Sequence, residues 1–162
     1  MADNPEQQYQ PEQNGMYELE FPAPQLSLPD GRGPVMIHAL EGFSDAGHAI
    51  KLAAAHLKDT LDTELVASFA IDDLLDYRSR RPLMTFKTDH FTNYEDPELN
   101  LYALHDSVGT PFLLLAGMEP DLKWERFITA VRLLAERLGV RRVVGLGAIP
   151  MAVPHTLSLI HI

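Results

Sequence analysis

Val35-Met36-Ile37-His38-Ala39-Leu40-Glu41-Gly42-Phe43-Ser44-Asp45-Ala46-Gly47-His48, followed by Ala49 to Ala70, is the stretch on which the fold turns. Val35 to Leu40 is a nearly continuous apolar run, the pattern of a strand covered on both faces. Glycine, serine and aspartate then mark a turn. From about Ala46 to Leu61, Ile50, Ala53, Ala54 and Leu57 recur at helical spacing. Thr63 to Ala70 returns to strand character. Strand, helix, strand at this spacing is a βαβ unit, which predicts parallel strands joined by a right-handed crossover.

The rest of the chain repeats the theme less regularly. Tyr17 to Phe21 alternates apolar and polar as an edge strand would, and Leu28-Pro29-Asp30-Gly31 is turn chemistry. Asp72 to Arg81 reads as a helical turn and a basic loop. Leu83 to Phe86 and Leu99 to His105 read as short strands, and Pro111 to Gly117 as a buried one. A second helix follows, with Trp124, Phe127, Val131, Leu134 and Leu138 on one face. Asp121 is the expected N-cap and Gly139 the left-handed stop. Val143 to Leu146 begins another strand. The expected fold is α/β: a three-layer αβα arrangement around a mostly parallel sheet.

Composition sets the outer bounds. An apolar share of 46% and a charged share of 22% over 162 residues suit a globular domain. The absence of cysteine excludes disulfides and thiolate chemistry and fits a cytoplasmic setting. The net charge of −10 disfavours nucleic acid and anionic membranes as partners. Half of it falls before residue 34, where six acidic residues oppose Arg32, giving −5. Residues 1–15 are Gln-, Asn- and Pro-rich and are expected to form a disordered acidic tail. The α/β domain is expected over residues 16–156. The closing Leu157-Ser158-Leu159-Ile160-His161-Ile162 matches one reading frame of a sequencing-library adapter, so residues 157–162 are expected to be a non-native tail on a truncated chain.

The strongest candidate for a ligand-binding site is the turn formed by Gly42, Phe43, Ser44, Asp45, Ala46, Gly47 and His48. It sits at the carboxyl end of a strand and opens a helix, where ligands collect and free amides favour anions. The alternative is purely structural, with Ser44 or Asp45 capping the helix. The turn lacks the spacing of a nucleophile elbow, a phosphate loop or a dinucleotide fingerprint. Gly147, in Gly145 to Pro150, is a candidate second lining of the same crevice. His38 reads as a core histidine. His48 and His56 lie eight apart, too far to share one ion, and no metal or cofactor is expected. Arg78, Arg80 and Arg81 beside Asp72, Asp73 and Asp76 read as a solvated ion-pair surface or, more sharply, an interface.

The run Ala39 to Gly47 resembles the opening motif of the actinobacterial branch of the PAC2 family (proteasome assembly chaperone 2-like). Asp76 to Pro82, Glu119 to Phe127 and Gly145 to His155 are similar to later motifs in the same order. The resemblance implies a phosphorylase/hydrolase-like α/β fold, a chain about twice this length, and work through protein surfaces, including self-association. It assigns no catalytic residues. The function it implies is a noncatalytic homo-oligomeric scaffold or assembly-chaperone-like protein. The alternative is a small-molecule enzyme acting at Gly42 to His48, nucleoside phosphorylase/hydrolase-like, or an ATP-dependent carboxylate–amine ligase, as some relatives are labelled. For the ligase, this sequence shows no glycine-rich lid with a nucleotide lysine.

Overall fold

The computed structural model describes residues 15–22, 24, 26, 28 and 31–150. The expected tail at 157–162, and all of the expected 1–15 tail except Gly15, therefore lie outside the described residues. Six strands form one sheet in the order β1-β3-β6-β7-β2-β8. They are β1 (Tyr17–Leu19), β2 (Val35–Glu41), β3 (Asp62–Phe69), β6 (Leu99–His105), β7 (Pro111–Met118) and β8 (Arg142–Gly145). Two short strands, β4 (Thr85–Lys87) and β5 (His90–Thr92), pair only with each other as a separate hairpin. The helices are α1 (Ala49–Thr60) and α2 (Trp124–Arg137).

The α/β layering is as expected, but the sheet is mixed. β2 pairs in parallel with β7 and with β8. The other half is antiparallel: β1 with β3, β3 with β6, and β6 with β7. The reason is local. β6 and β7 are joined by Asp106 to Thr110 alone, and a five-residue link can only reverse the chain. The Asp106 carboxylate accepts from the amides of Val108 (3.0 Å) and Thr110 (2.8 Å), locking that reversal. The Thr110 amide, chief among these donors, also holds the Asp106 carboxyl below the usual carboxylate range.

The expected βαβ unit survives in a wider form. β3 runs in the same direction as β2, but β7 and β6 lie between them. The chain thus crosses two strands through α1, and later crosses β2 through α2 to reach β8. These crossovers travel in opposite directions along the sheet and use opposite faces, so they share one hand. Alternation along β7 shows the two layers: Leu113 and Leu115 join the cluster containing Phe127, Ala130 and Leu134 of α2, whereas Leu114 and Ala116 join Ile50 and Ala54 of α1.

On α2, Phe127 and Leu134 are buried, each contributing roughly 1.5–3 kcal/mol before entropy. Trp124 stacks edge-on against Phe127 and remains part-exposed, so it closes the end of the core rather than filling it. Gly139 stops the helix at φ 65°, as expected. Asp121 does not cap it. The N-cap is Lys123, left-handed at φ 56°, and the Asp121 carboxylate is engaged elsewhere. The first expected helix likewise starts later, at Ala49, after a 3₁₀ turn over Ala46–His48. His38 is half-buried rather than core, its ring lying against Gly145 of β8, where any side chain would collide with it.

Candidate functional site

The Gly42 to His48 turn leaves the carboxyl end of β2 and enters α1, as the sequence predicts. Gly47 (φ 67°) and His48 (φ 56°) are both left-handed, which folds the chain sharply enough to return Asp45 to the helix start. One carboxylate oxygen of Asp45 accepts from the Ile50 amide at 2.7 Å, and the other from Lys51 at 3.4 Å. Both donors belong to the first turn of α1, where amides have no partner within the helix. Asp45 therefore performs a capping role from three residues upstream of the N-cap position. Ser44 contributes its carbonyl, which accepts from the Ala148 amide at 2.7 Å.

The second glycine loop is brought to the first. The Ala46 amide donates to the Ala148 carbonyl at 2.9 Å, and Asp45 and Ala148 form an isolated parallel bridge. Gly147 thus lies beside the turn. Its position is open, however: a methyl group there would meet nothing within 4 Å.

A third segment, the start of the Glu119 to Phe127 motif, also enters. The Phe43 amide donates to a carboxylate oxygen of Glu119 at 2.9 Å, and a Cβ on Gly42 would fall 1.9 Å from that same oxygen. Gly42 is what lets Glu119 reach beneath the turn. The position an exogenous anion would take at Phe43 is occupied by the protein's own carboxylate, while the Phe43 ring itself is 97% exposed. A ligand binding this turn through its amides would have to displace Glu119.

Glu119 opens a network that accounts for the Arg/Asp cluster. Arg80 donates to the Glu119 carbonyl and pairs with Asp121, both at 2.9 Å, and Asp121 also accepts from the Asp76 amide at 3.0 Å. This pair is largely sheltered and ties the loop after β3 to the loop after β7. Elsewhere the cluster is solvated. Arg78 pairs with Asp76 at 3.4 Å and Lys123 with Asp73 at 2.9 Å. The Lys123 hydrogen bond draws the Asp73 carboxyl below its ordinary range. The Tyr77 hydroxyl donates to Asp72, which pushes its pKa up to about 12. Arg81 joins none of these pairs.

Beside the turn, a cavity of about 520 Å³ opens at the carboxyl ends of β2 and β7, between α1 and the chain on either side of the β4–β5 hairpin. Its lining includes Glu41, Lys51, Lys58, Arg81, Glu95 and Glu98. Of these, only Arg81 belongs to the charged cluster that the sequence singles out. Lys51 and Lys58 could have been found there too, since seven residues on a helix is two turns and puts both on one face. Among the described residues no group of three or more His, Asp or Glu is placed to hold a metal ion.

The comparisons agree with this architecture. A profile of the PAC2 family matches residues 39–160, three quarters of the chain. The chain belongs to the PAC2 family. A Mycobacterium tuberculosis protein of unknown function is 83% identical with a TM-score of 0.87, over 93% of this chain and 51% of its own. A Corynebacterium glutamicum protein, also of unknown function, is 46% identical with a TM-score of 0.82, over 88% and 53%. A second M. tuberculosis protein, described as a proteasome-assembly chaperone homologue, is 27% identical with a TM-score of 0.67, over 76% and 52%. The chain spans about half the length of each of these three proteins. No curated protein matches it. No helix among the described residues is long and apolar enough to cross a membrane.

Proposed function

We propose that this PAC2-family chain is part of a noncatalytic, self-associating scaffold or assembly-chaperone-like protein that works in the cytoplasm through protein contacts. The observation that carries this reading is the β4–β5 hairpin. It stands outside the main sheet, and an isolated two-stranded hairpin is only marginally stable in water. Its Phe86 and Phe91 rings stack at 5.1 Å yet are 60% and 63% exposed, with Leu83, Met84 and Tyr94 exposed nearby. Apolar surface gathered in this way marks a contact site. A second copy of the chain is the occupant we favour, because each arm carries the same apolar face and two such faces can cover each other. The chaperone description of one relative lends family-level support.

The competing reading, an enzyme acting at Gly42 to His48, has less behind it. The amides of Phe43, Ala46, Ile50 and Lys51 all have partners within the fold. Light scattering after size exclusion tests the scaffold reading. The protein should form an assembly that Phe86→Asp with Phe91→Asp converts to a smaller species of unchanged circular dichroism. An unaltered protein that stays monomeric at tens of micromolar, or an assembly indifferent to both substitutions, would count against it.

A further inference from the structure

We infer that the 520 Å³ cavity at the ends of β2 and β7 binds a short peptide with free termini, holding its carboxylate and its ammonium on opposite walls. The space exists because its floor is made of small residues: Ala116 and Gly117 from β7, Ala54 and Ala55 from α1. Gly117 cannot be otherwise. Its φ is +136°, and a Cβ would lie 2.1 Å from the Glu98 carbonyl oxygen, just ahead of the neighbouring strand β6. The volume falls within the usual range for small-molecule sites.

Charge decides the ligand class. Four cations (Lys51, Lys58, Arg80 and Arg81) and four carboxylates (Glu41, Glu95, Asp96 and Glu98) line the cavity, so its formal charge sums to zero. Several are already spent. Arg80 is held by Asp121, and Lys51 by Glu41 at 3.4 Å. Glu98 accepts from Asn100 and from the Tyr102 hydroxyl. Four are not. Among the described residues Arg81, Glu95 and Asp96 have no ion-pair partner, though Asp96 accepts from the Tyr94 hydroxyl, and the Lys58 ammonium sits 5.0 Å from the centre of the Tyr102 ring, an attraction that leaves its donors available. Lys58 on α1 supplies a donor for the carboxylate, and Glu95 and Asp96 on the hairpin flank supply acceptors for the ammonium; Arg81 stands on that flank too, where the Glu95 amide donates to the Leu83 carbonyl. A polyanion such as a nucleotide would meet the acidic wall uncompensated, and a simple cation would meet the basic one. A zwitterion with separated ends satisfies both. The site adjoins the hairpin face and shares Leu83 with it, but its test reads ligand binding and not self-association.

Isothermal calorimetry with trialanine, N-acetyl-trialanine and trialanine amide tests the assignment, with inorganic pyrophosphate as the anionic rival. Trialanine should bind saturably, and blocking either terminus should weaken binding at least tenfold. Lys58→Glu and Glu95→Lys should each weaken trialanine at least tenfold with the far-ultraviolet spectrum unchanged. Arg132→Glu, a charge reversal on the α2 side of the sheet, should leave affinity within twofold. Equal binding of the blocked peptides, pyrophosphate binding without trialanine binding, or no saturation by several millimolar trialanine would each overturn the proposal.

Discussion

Replacing Asp45 by alanine separates the two roles that the sequence leaves open for it. Its carboxylate accepts from Ile50 at 2.7 Å and from Lys51 at 3.4 Å. Loss of a capping side chain costs about 0.5–2 kcal/mol. Here one bond is well formed and the other long, and the surrounding turn is also held by the Ala46–Ala148 backbone contact. We therefore expect a loss of about 1–1.5 kcal/mol. With a urea dependence of about 2 kcal/mol per molar, the unfolding midpoint should fall by about 0.5–0.8 M with an unchanged slope. Asp45→Asn keeps an acceptor oxygen for the Ile50 amide and should lose less than half as much. Circular dichroism at 222 nm follows α1 and α2 together, and fluorescence of Trp124 follows the α2 face of the sheet alone. Coincident transitions would license the two-state treatment. An Asp45→Ala protein with an unshifted midpoint would refute the capping assignment, because nothing else in the first turn of α1 would then need that carboxylate.

Two further perturbations probe the frame around the cavity. Gly117→Ala forces a Cβ to within 2.1 Å of backbone at a positive φ and should cost about 2–4 kcal/mol, lowering Tm by roughly 10 °C. Gly147→Ala, in open space, should stay within about 0.5 kcal/mol by the same melting assay. A double-mutant cycle on Arg80 and Asp121, whose side chains are 28% and 19% exposed, should return a coupling of about 1 kcal/mol. The exposed Arg132–Glu136 pair, at the same 2.9 Å, should return about 0.3 kcal/mol in a parallel cycle, and equal couplings would deny that shelter matters.

What the sequence disclosed was local, and what it withheld was pairing. Leu99–His105 is a strand over the span its apolar run suggests, and the α2 face buries Phe127 and Leu134 as its period requires. Strand direction leaves no trace in that kind of pattern, because a strand buried on both faces reads the same whichever way its neighbours run. The clue lay in connection length: Asp106 to Thr110 is too short for a crossover. Asp121 shows the other limit. Propensity marks it as a cap, but the geometry that decides its role comes from Arg80 and the Asp76 amide, 41 and 45 residues upstream.

The same distinction explains why the glycine turn is legible in the sequence and the cavity beside it is not. Glycines near a strand end are conspicuous in one dimension, whereas a cavity wall drawn from α1, from β2 and from both flanks of a hairpin is visible only after folding. Glu119 joins the two regions. Its side chain fills the space left by Gly42, and its carbonyl receives Arg80, whose neighbour Arg81 lines the cavity. A side chain at position 42 would evict Glu119, and the loss would pass through the shared 119–121 segment to the Arg80 anchor. Gly42→Ala should therefore weaken trialanine binding although residue 42 does not line the cavity, whereas Gly147→Ala should leave it unchanged. Calorimetry on the two variants measures this directly. Equal affinities would mean that the turn and the cavity are mechanically independent, and that Glu119 merely closes the space beneath Phe43.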